Sequence, residues 1–497
     1  MIGSHASSRV SGHWHLFLDD AEVASRTAVQ HVMHPAVKYA GNPILVPEPP
    51  WEGAMVPSTV LFDEEDRTFK MWYLTHARVP GVESTYVSGF ATSTDGIHWH
   101  RPEIGAYEYE GSRRNNLCLG NTPGGMGVII DHHDPDPTRR FKALVWHGGN
   151  RSRADTKRGW GAHEQRGFSA FTSPDGAHWS PLADEPVLRG TGDTESLFGW
   201  DERYGRYVAY VRPGRSRELG EGVPRRVIGR SLSEDFVIWT SPVDVLLPDA
   251  DDPPLAELYY MPVQRFYGQY VGLPHVFVPS PDPFGPFWPE LATSRDGIRW
   301  SRVGHQPLIE AGEPGSFDCG MRRCARGIIE RGDELWLYYG GWREDHGTSR
   351  QHRHMTTPRA AQRRAAAIGL AKLRLDGFVS LDAGEAEGTI TTAPVRSAGP
   401  AIPLRLLVNA ATHGPGGYVA AEVLAADGTV LPGYSLAEAD RFAGDAVAHE
   451  LTWQGRPLAL LARAAAGAGT IALRFRLRHA SLYAYSCAGA PAAPSVQ

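Results

Sequence analysis

The sequence predicts an all-β chain, a five-bladed β-propeller followed by a small C-terminal β-sandwich. Three observations carry the prediction: a recurring turn, an aromatic strand ahead of each copy, and a change of composition after residue 397. The turn reads "ATSTDGIHWH" at 91–100, "FTSPDGAHW" at 171–179, "SLSEDFVIW" at 231–239 and "LATSRDGIRW" at 291–300. Its aspartates, Asp95, Asp175, Asp235 and Asp296, fall 80, 60 and 61 residues apart. A further step of 80 reaches Asp376 in "AKLRLDGFVSL", a degenerate fifth copy with Ser380 in place of the tryptophan.

Each copy follows the same plan. An apolar segment comes first, then a polar turn, then an aromatic strand: "FKMWYLT", "FKALVWH", "YVAYVRP", "YVGL" and "LWLYYGG". A third strand ends at the Asp-Gly turn and a fourth follows it. Such strand-rich units in series read as propeller blades, four-stranded sheets packed radially around a channel. The turn residues have structural reasons: Asp caps its own turn, Gly supplies positive φ, and Trp fills space between neighbouring blades. On this reading the motif is structural.

The blades occupy residues 35–397, and "HWHLFLDD" within segment 1–34 is expected to add a strand to the propeller. From 398 to 488 the chain alternates apolar and polar residues between Gly, Pro and Asp-Gly turns, the pattern of a small β-sandwich. Residues 489–497, "GAPAAPSVQ", read as a disordered tail.

Composition excludes several functions. The formal net charge is −6 with no basic block, which argues against nucleic acid as a partner. Four cysteines (Cys118, Cys319, Cys324, Cys487), far apart except for the one C-x4-C pair, give neither a disulfide framework nor a zinc site, since a second ligand pair at matching spacing is missing, and no metal ligand set is assigned. No apolar run reaches membrane-span length, and no signal peptide is visible, so a cytoplasmic location is expected. No organic cofactor is implied. A structural calcium in the channel stays open, and oligomeric state is not legible.

In a propeller, the loops that lead into the innermost strands form one face of the ring. Here they read "PPWEGAM", "GNTPGGMG", "GTGDTESLF", "PLAELYY" and "GSFDCGMRRC". Four of the five present an acid: Glu52, Asp193 with Glu195, Glu257, and Asp318. Paired carboxylates suit glycoside hydrolysis, one protonating the departing oxygen while the other attacks the anomeric carbon or activates water. Arg322 and Arg323 are candidates to clamp a sugar hydroxyl or a uronate. Trp51 and Trp342 are candidates to stack on a sugar face, and His346 lies on the loop beyond the second strand of blade five.

Taken together, "LFLDD", "FKMWY", "ATSTDGIHW", "GDTES", "YVAYVR", "ATSRDGIRWSR", "GSFDCGM", "ELWLYYGG" and "GLAKLRLDGFVSL" give the chain a resemblance to a known group. It resembles the five-bladed propeller glycoside hydrolases, the family 32/43-like superfamily of invertases, levanases and arabinanases. Within it the chain looks like a family-32-like subgroup with an appended sandwich. In invertase-like enzymes the acids stand in Asn-Asp-Pro, Arg-Asp-Pro and Glu-Cys segments. The resemblance carries the third onto "DTESLF", implying Glu195 or its neighbour Asp193 as acid/base. The first finds only Asn42-Pro43 without an intervening Asp, and the second finds "TPGGMG". The expected catalytic acids are therefore Asp193, Glu257 and Asp318, with Glu52 and Glu195 as rivals.

The expected function is an exo-acting glycoside hydrolase or transglycosylase on a small glycoside or oligosaccharide. The alternative is a propeller that binds carbohydrate or protein without catalysis. A sialidase-like fold fits less well, since it needs six blades.

Overall fold

The computed structural model describes residues 14–82, 86–147, 167–189, 191–213, 217–218, 224–279, 285–346, 366–396, 404–458 and 470–489. The chain is all-β apart from two short 3₁₀ turns among these residues, and it divides into two compact units. No helix among them is long and apolar enough to cross a membrane.

The larger unit spans Ala36–Ile329 and Trp336–Lys372. Its described residues contain five four-stranded antiparallel groups, each leading outward from an inner strand, the first four in chain order and the fifth with a fourth strand taken from an earlier segment. The inner strands are Val56–Asp63, Met126–Ile130, Thr191–Asp201, Val263–Phe266 and Arg322–Arg331. Direct bonds tie them into a ring. Thr59 donates to the Met126 carbonyl at 2.8 Å, and Gln264 exchanges two bonds of 2.8 Å with the backbone of Ile328. Arg326, which pairs in parallel register with Thr59, reaches the carbonyls of Val128, Leu197 and Phe198. A single guanidinium thus satisfies the second and third inner strands from the fifth. The last group is completed by Val37–Lys38, which pairs with Ala371 and Lys372, so an early segment closes the ring.

The repeated turn behaves as its residue types require. Asp95 Oδ1 accepts the N–H groups of Ile97 and His98 at 2.8 Å, while Ser93 Oγ accepts that of Gly96 at 2.8 Å. Ser173 with Asp175, Ser233 with Asp235, and Ser294 with Asp296 repeat the arrangement. The carbonyl of the turn glycine then accepts from an aromatic side chain of another group: Tyr338 to Gly96, Trp72 to Gly176, and Tyr210 to Gly297. Trp99, Trp179 and Trp300 pack edge-on to the same three partners, Tyr338, Trp72 and Tyr210. At the third turn Phe236 stands in the glycine position with φ of 68°, and fills the space with its own ring against Tyr207.

The smaller unit is a β-sandwich of two sheets, and it recruits more of the chain than its sequence pattern implied. The described residues of segment 1–34 pair within this unit and not with the propeller strands. His15–Leu16 pairs with Ala484 and Tyr485, Val23–Thr27 with Gly388–Thr392, and Gln30–Met33 with Val379–Ala383. Residues 379–396, expected within the propeller, belong to these same sheets. The reason is hydrophobic: Phe17, Leu381 and Ile390 share one buried core with Val408, Val419, Phe475 and Tyr485. From residue 490 onward the expected tail lies outside the described residues.

Candidate functional site

Glu52 sits in the loop leading into the first inner strand and is fully buried, at 0% exposure. Tyr73 donates to Oε1 at 2.6 Å, Arg101 forks onto both oxygens at 2.8 and 3.0 Å, and the Glu48 N–H adds 3.1 Å. A carboxylate so enclosed has no oxygen left for a substrate. Burial, then the Glu52 charge, pushes the Tyr73 phenol well above its ordinary value. Glu52 is therefore a structural acid, a correction to its candidacy. Trp51 is fixed too: its Nε1 donates to Asn116 at 2.7 Å and its ring lies edge-on to Tyr109, so it packs the loop instead of presenting a sugar platform.

Asp318, with its side chain 3% exposed, receives Lys38 Nζ at 2.6 Å, the Tyr339 hydroxyl at 2.8 Å and Ser316 Oγ at 2.9 Å. Burial works to raise its pKa, but the bonds from Lys38 and Tyr339 outweigh it and hold the carboxyl below the usual range. Arg322 is buried and spends its guanidinium on the carbonyls of Gly320 and Ile309. Both residues knit the fifth group to the ring-closing strand and to its own backbone. Neither is arranged to grip a ligand.

The third location differs. Glu257, 11% exposed at its side chain, pairs with Arg226, and the Leu258 N–H donates to the Arg226 carbonyl at 3.0 Å. The acid of the fourth group is thereby set against the third. The guanidinium carbons of Arg212 and Arg226 both lie over the ring of Tyr259, at 4.6 and 5.0 Å from its centroid. His346 meets Tyr259 edge-on at 4.7 Å, and Trp342 packs with Tyr259 around Phe277, Phe287 and Met321. Of the predicted residues, Glu257, Trp342 and His346 share this neighbourhood. Asp318 and Arg322 flank Met321, whose carbonyl accepts the Trp342 N–H at 2.9 Å, and so border it, whereas Glu52 and Trp51 form a separate cluster.

Asp193 and Glu195 lie on the inner strand Thr191–Asp201, which leads into this same end: Thr191 pairs with Pro213 and Glu195 with Val211, bracketing Arg212. Their side chains fall outside the described residues. Arg323 stands apart from Arg322. Its guanidinium lies 4.6 Å over Tyr260 and donates to the Gly124 carbonyl at 3.3 Å. Behind it, His275 is wholly buried. Burial, then the Arg323 charge, lowers its pKa to about 3, while its Nε2 accepts the Cys324 N–H at 2.9 Å.

Sequence reasoning missed Arg212, Arg226, Tyr259 and Tyr260. The tyrosines stood in the quoted "PLAELYY", directly after Glu257, and Arg212 ends the quoted "YVAYVR". Aromatic residues beside strand-end arginines were the available signal.

Among the described residues, Asp249, Asp252 and His305 bring metal-capable atoms within 4.8 Å of one another. Arg302 already occupies both oxygens of Asp252, at 2.8 and 3.0 Å, so a cation there would have to displace a guanidinium. This arrangement supports no metal assignment.

No family profile matches the chain, and no curated protein does. Solved structures with a similar fold include a glycosyl hydrolase from Bacteroides ovatus, at 14% identity and a TM-score of 0.45, covering 69% of this chain and 94% of that one. A fructofuranosidase variant from Schwanniomyces occidentalis complexed with fructosylnystose covers 91% of this chain and 96% of its own, at 11% identity and a TM-score of 0.41. An N-acetylgalactosamine deacetylase from F. plautii, in complex with blood group B trisaccharide, matches at 16% identity and a TM-score of 0.43, covering 71% and 97%.

Proposed function

We propose that this chain acts on carbohydrate as a glycoside hydrolase or transglycosylase, exo-acting on a small glycoside or oligosaccharide. The observation that carries the reading is the setting of Glu257. It lies at the strand ends where Arg212, Arg226 and Tyr259 converge and to which the strand bearing Asp193 and Glu195 also leads. The motif resemblance of the sequence points the same way.

Paired with Arg226, Glu257 suits the base or nucleophile role. The acid is assigned to Asp193 or Glu195. In hydrolysis the acid's proton passes to the glycosidic oxygen as the bond to the anomeric carbon breaks. Water then supplies the new C–O bond, and its proton returns to a carboxylate. A carboxylate separation near roughly 5 Å would give retention, and about 6.5–9.5 Å inversion.

The test is a panel of nitrophenyl furanosides and pyranosides with sucrose, inulin and arabinan, run on wild type, Glu257→Gln, Asp193→Asn and Glu195→Gln. Turnover in wild type, lost in Glu257→Gln and in either Asp193→Asn or Glu195→Gln, is the expected result. Full activity in Glu257→Gln refutes the assignment.

One observation favours a second reading, a binding propeller without catalysis. Each acid whose side chain is described is held by a separate cation: Glu52 by Arg101, Glu257 by Arg226 and Asp318 by Lys38. That reading expects saturable oligosaccharide binding with no sugar released.

A further inference from the structure

We propose that Arg323 is a carboxylate-recognition point, and that the sugar taken at this end of the ring is a uronic acid or carries one. The substrate part of this inference rests on the reading above; the binding part does not. Arg323 bridges loops that enter three different groups: it lies on the fifth inner strand, over Tyr260 of the fourth group, and donates to Gly124 ahead of the second inner strand. A side chain touching all three must lie near the axis of the ring. Tyr260 directly follows Tyr259, so Arg323 belongs to the same strand ends as Glu257.

The cation is unbalanced. Among the described residues, Arg101, Arg226, Arg302 and Arg140 each hold a carboxylate, whereas Arg323 has one carbonyl and one aromatic face. A single carbonyl uses one of five N–H donors, and the planar fork left over matches a carboxylate in two parallel bonds. Tyr260 stacks on the guanidinium face and so orients its edge without consuming donors. The neighbouring His275 is kept neutral and adds no second charge. Beside the Gly124 loop, the buried hydroxyl of Ser58 has no hydrogen-bond partner among the described residues. Gly125 lies so close to it that a Cβ there would stand 2.2 Å from Ser58 Oγ. The glycine loop thus packs tightly on Ser58 of the first inner strand, and its Gly124 carbonyl fixes one edge of the Arg323 guanidinium while the rest of the fork has no partner among the described residues.

The experiment is calorimetric titration of the full chain with galacturonate, glucuronate, galactose and glucose, on wild type, Arg323→Gln and Arg323→Lys. Wild type is expected to bind at least one uronate about tenfold or more tighter than its neutral counterpart. Arg323→Gln should abolish that preference, and Arg323→Lys, which keeps the charge without the fork, should retain only part of it. Equal affinity for acid and neutral sugars in wild type, or a preference undiminished in Arg323→Gln, overturns the proposal. Should Arg323→Gln fail to fold, Arg323→Lys decides by the same criterion. The two readings fail separately. Uronate binding without any glycoside turnover would sink the enzyme reading alone, and turnover of neutral glycosides with no uronate preference would sink this one alone.

Discussion

The Tyr207 hydroxyl donates to the Asp131 carboxylate across 2.7 Å, joining the second strand of one group to the hairpin of the group before it. Tyr270 meets Asp201 in the same way at 2.7 Å, and Arg140 takes the tyrosine's part at Asp63. Lys142 completes the Asp131 site at 2.7 Å. Burial tends to raise the Asp131 pKa, but the bonds from Lys142 and Tyr207 bring it below the usual range. Its folded pKa being depressed, its contribution is complete above the unfolded value of roughly 3.9 and is lost as pH falls below it. Tyr207→Phe removes one donor to a buried charge and is expected to cost about 1–3 kcal/mol in urea unfolding near neutral pH. An unchanged midpoint would show the contact to be idle.

Milder acid acts elsewhere. Burial lowers the His76 pKa to about 4, and burial with the Arg323 charge lowers that of His275 to about 3. Both stay neutral when folded, whereas the unfolded chain takes up their protons from about pH 6.5 downward. Stability should therefore decline from that pH, each histidine adding at most about 1.4 kcal/mol per pH unit. Melting curves at pH 7.5 and 5 check this. Replacing both, as His76→Phe with His275→Gln, should flatten the profile over that interval even though the double variant starts less stable.

Two glutamates separate stability from turnover. Glu52→Gln removes the buried counter-charge of the Arg101 guanidinium, only 14% exposed, and leaves it the exposed Glu48 at 3.4 Å, at an expected cost of about 3–5 kcal/mol. Arg226 is 34% exposed and water can replace its partner, so Glu257→Gln should melt close to wild type while losing turnover. The reverse pattern, a stable Glu52→Gln and an unfolded Glu257→Gln, would exchange the two roles.

The repeated turn makes its own prediction. Gly176 has φ of 81°, and a Cβ there would lie 2.7 Å from the Trp72 ring whose Nε1 its carbonyl receives. Gly176→Ala combines a left-handed backbone with that clash and is expected to cost more than about 1 kcal/mol. Thermal unfolding that matches wild type would contradict the packing role given to the turn.

What the sequence made legible was local. Ser-x-Asp-Gly caps itself within six residues, so its copies reveal their role without any partner in view. The strand pairings of the sandwich were hidden because their partners are remote: His15 finds Tyr485, and no pattern near either one names the other. The acids were legible as residue types at comparable loops. Their cations were not, since Arg101 for Glu52 and Lys38 for Asp318 come from distant strands and loops that only the closed ring brings near. Glu257 alone carried a local hint, in the tyrosine pair that follows it.

The pairing of Val37–Lys38 with Ala371 and Lys372, and of His15–Leu16 with Ala484 and Tyr485, also sets a clock. During synthesis the earliest strands emerge with no partner and must wait for several hundred residues before either sheet can close. The first four groups can each form as they appear, because their four strands follow one another within a local stretch of chain. Refolding should then show early strand formation followed by one late cooperative step, and chains released before the final strand should be captured by proteases through their amino-terminal segment first.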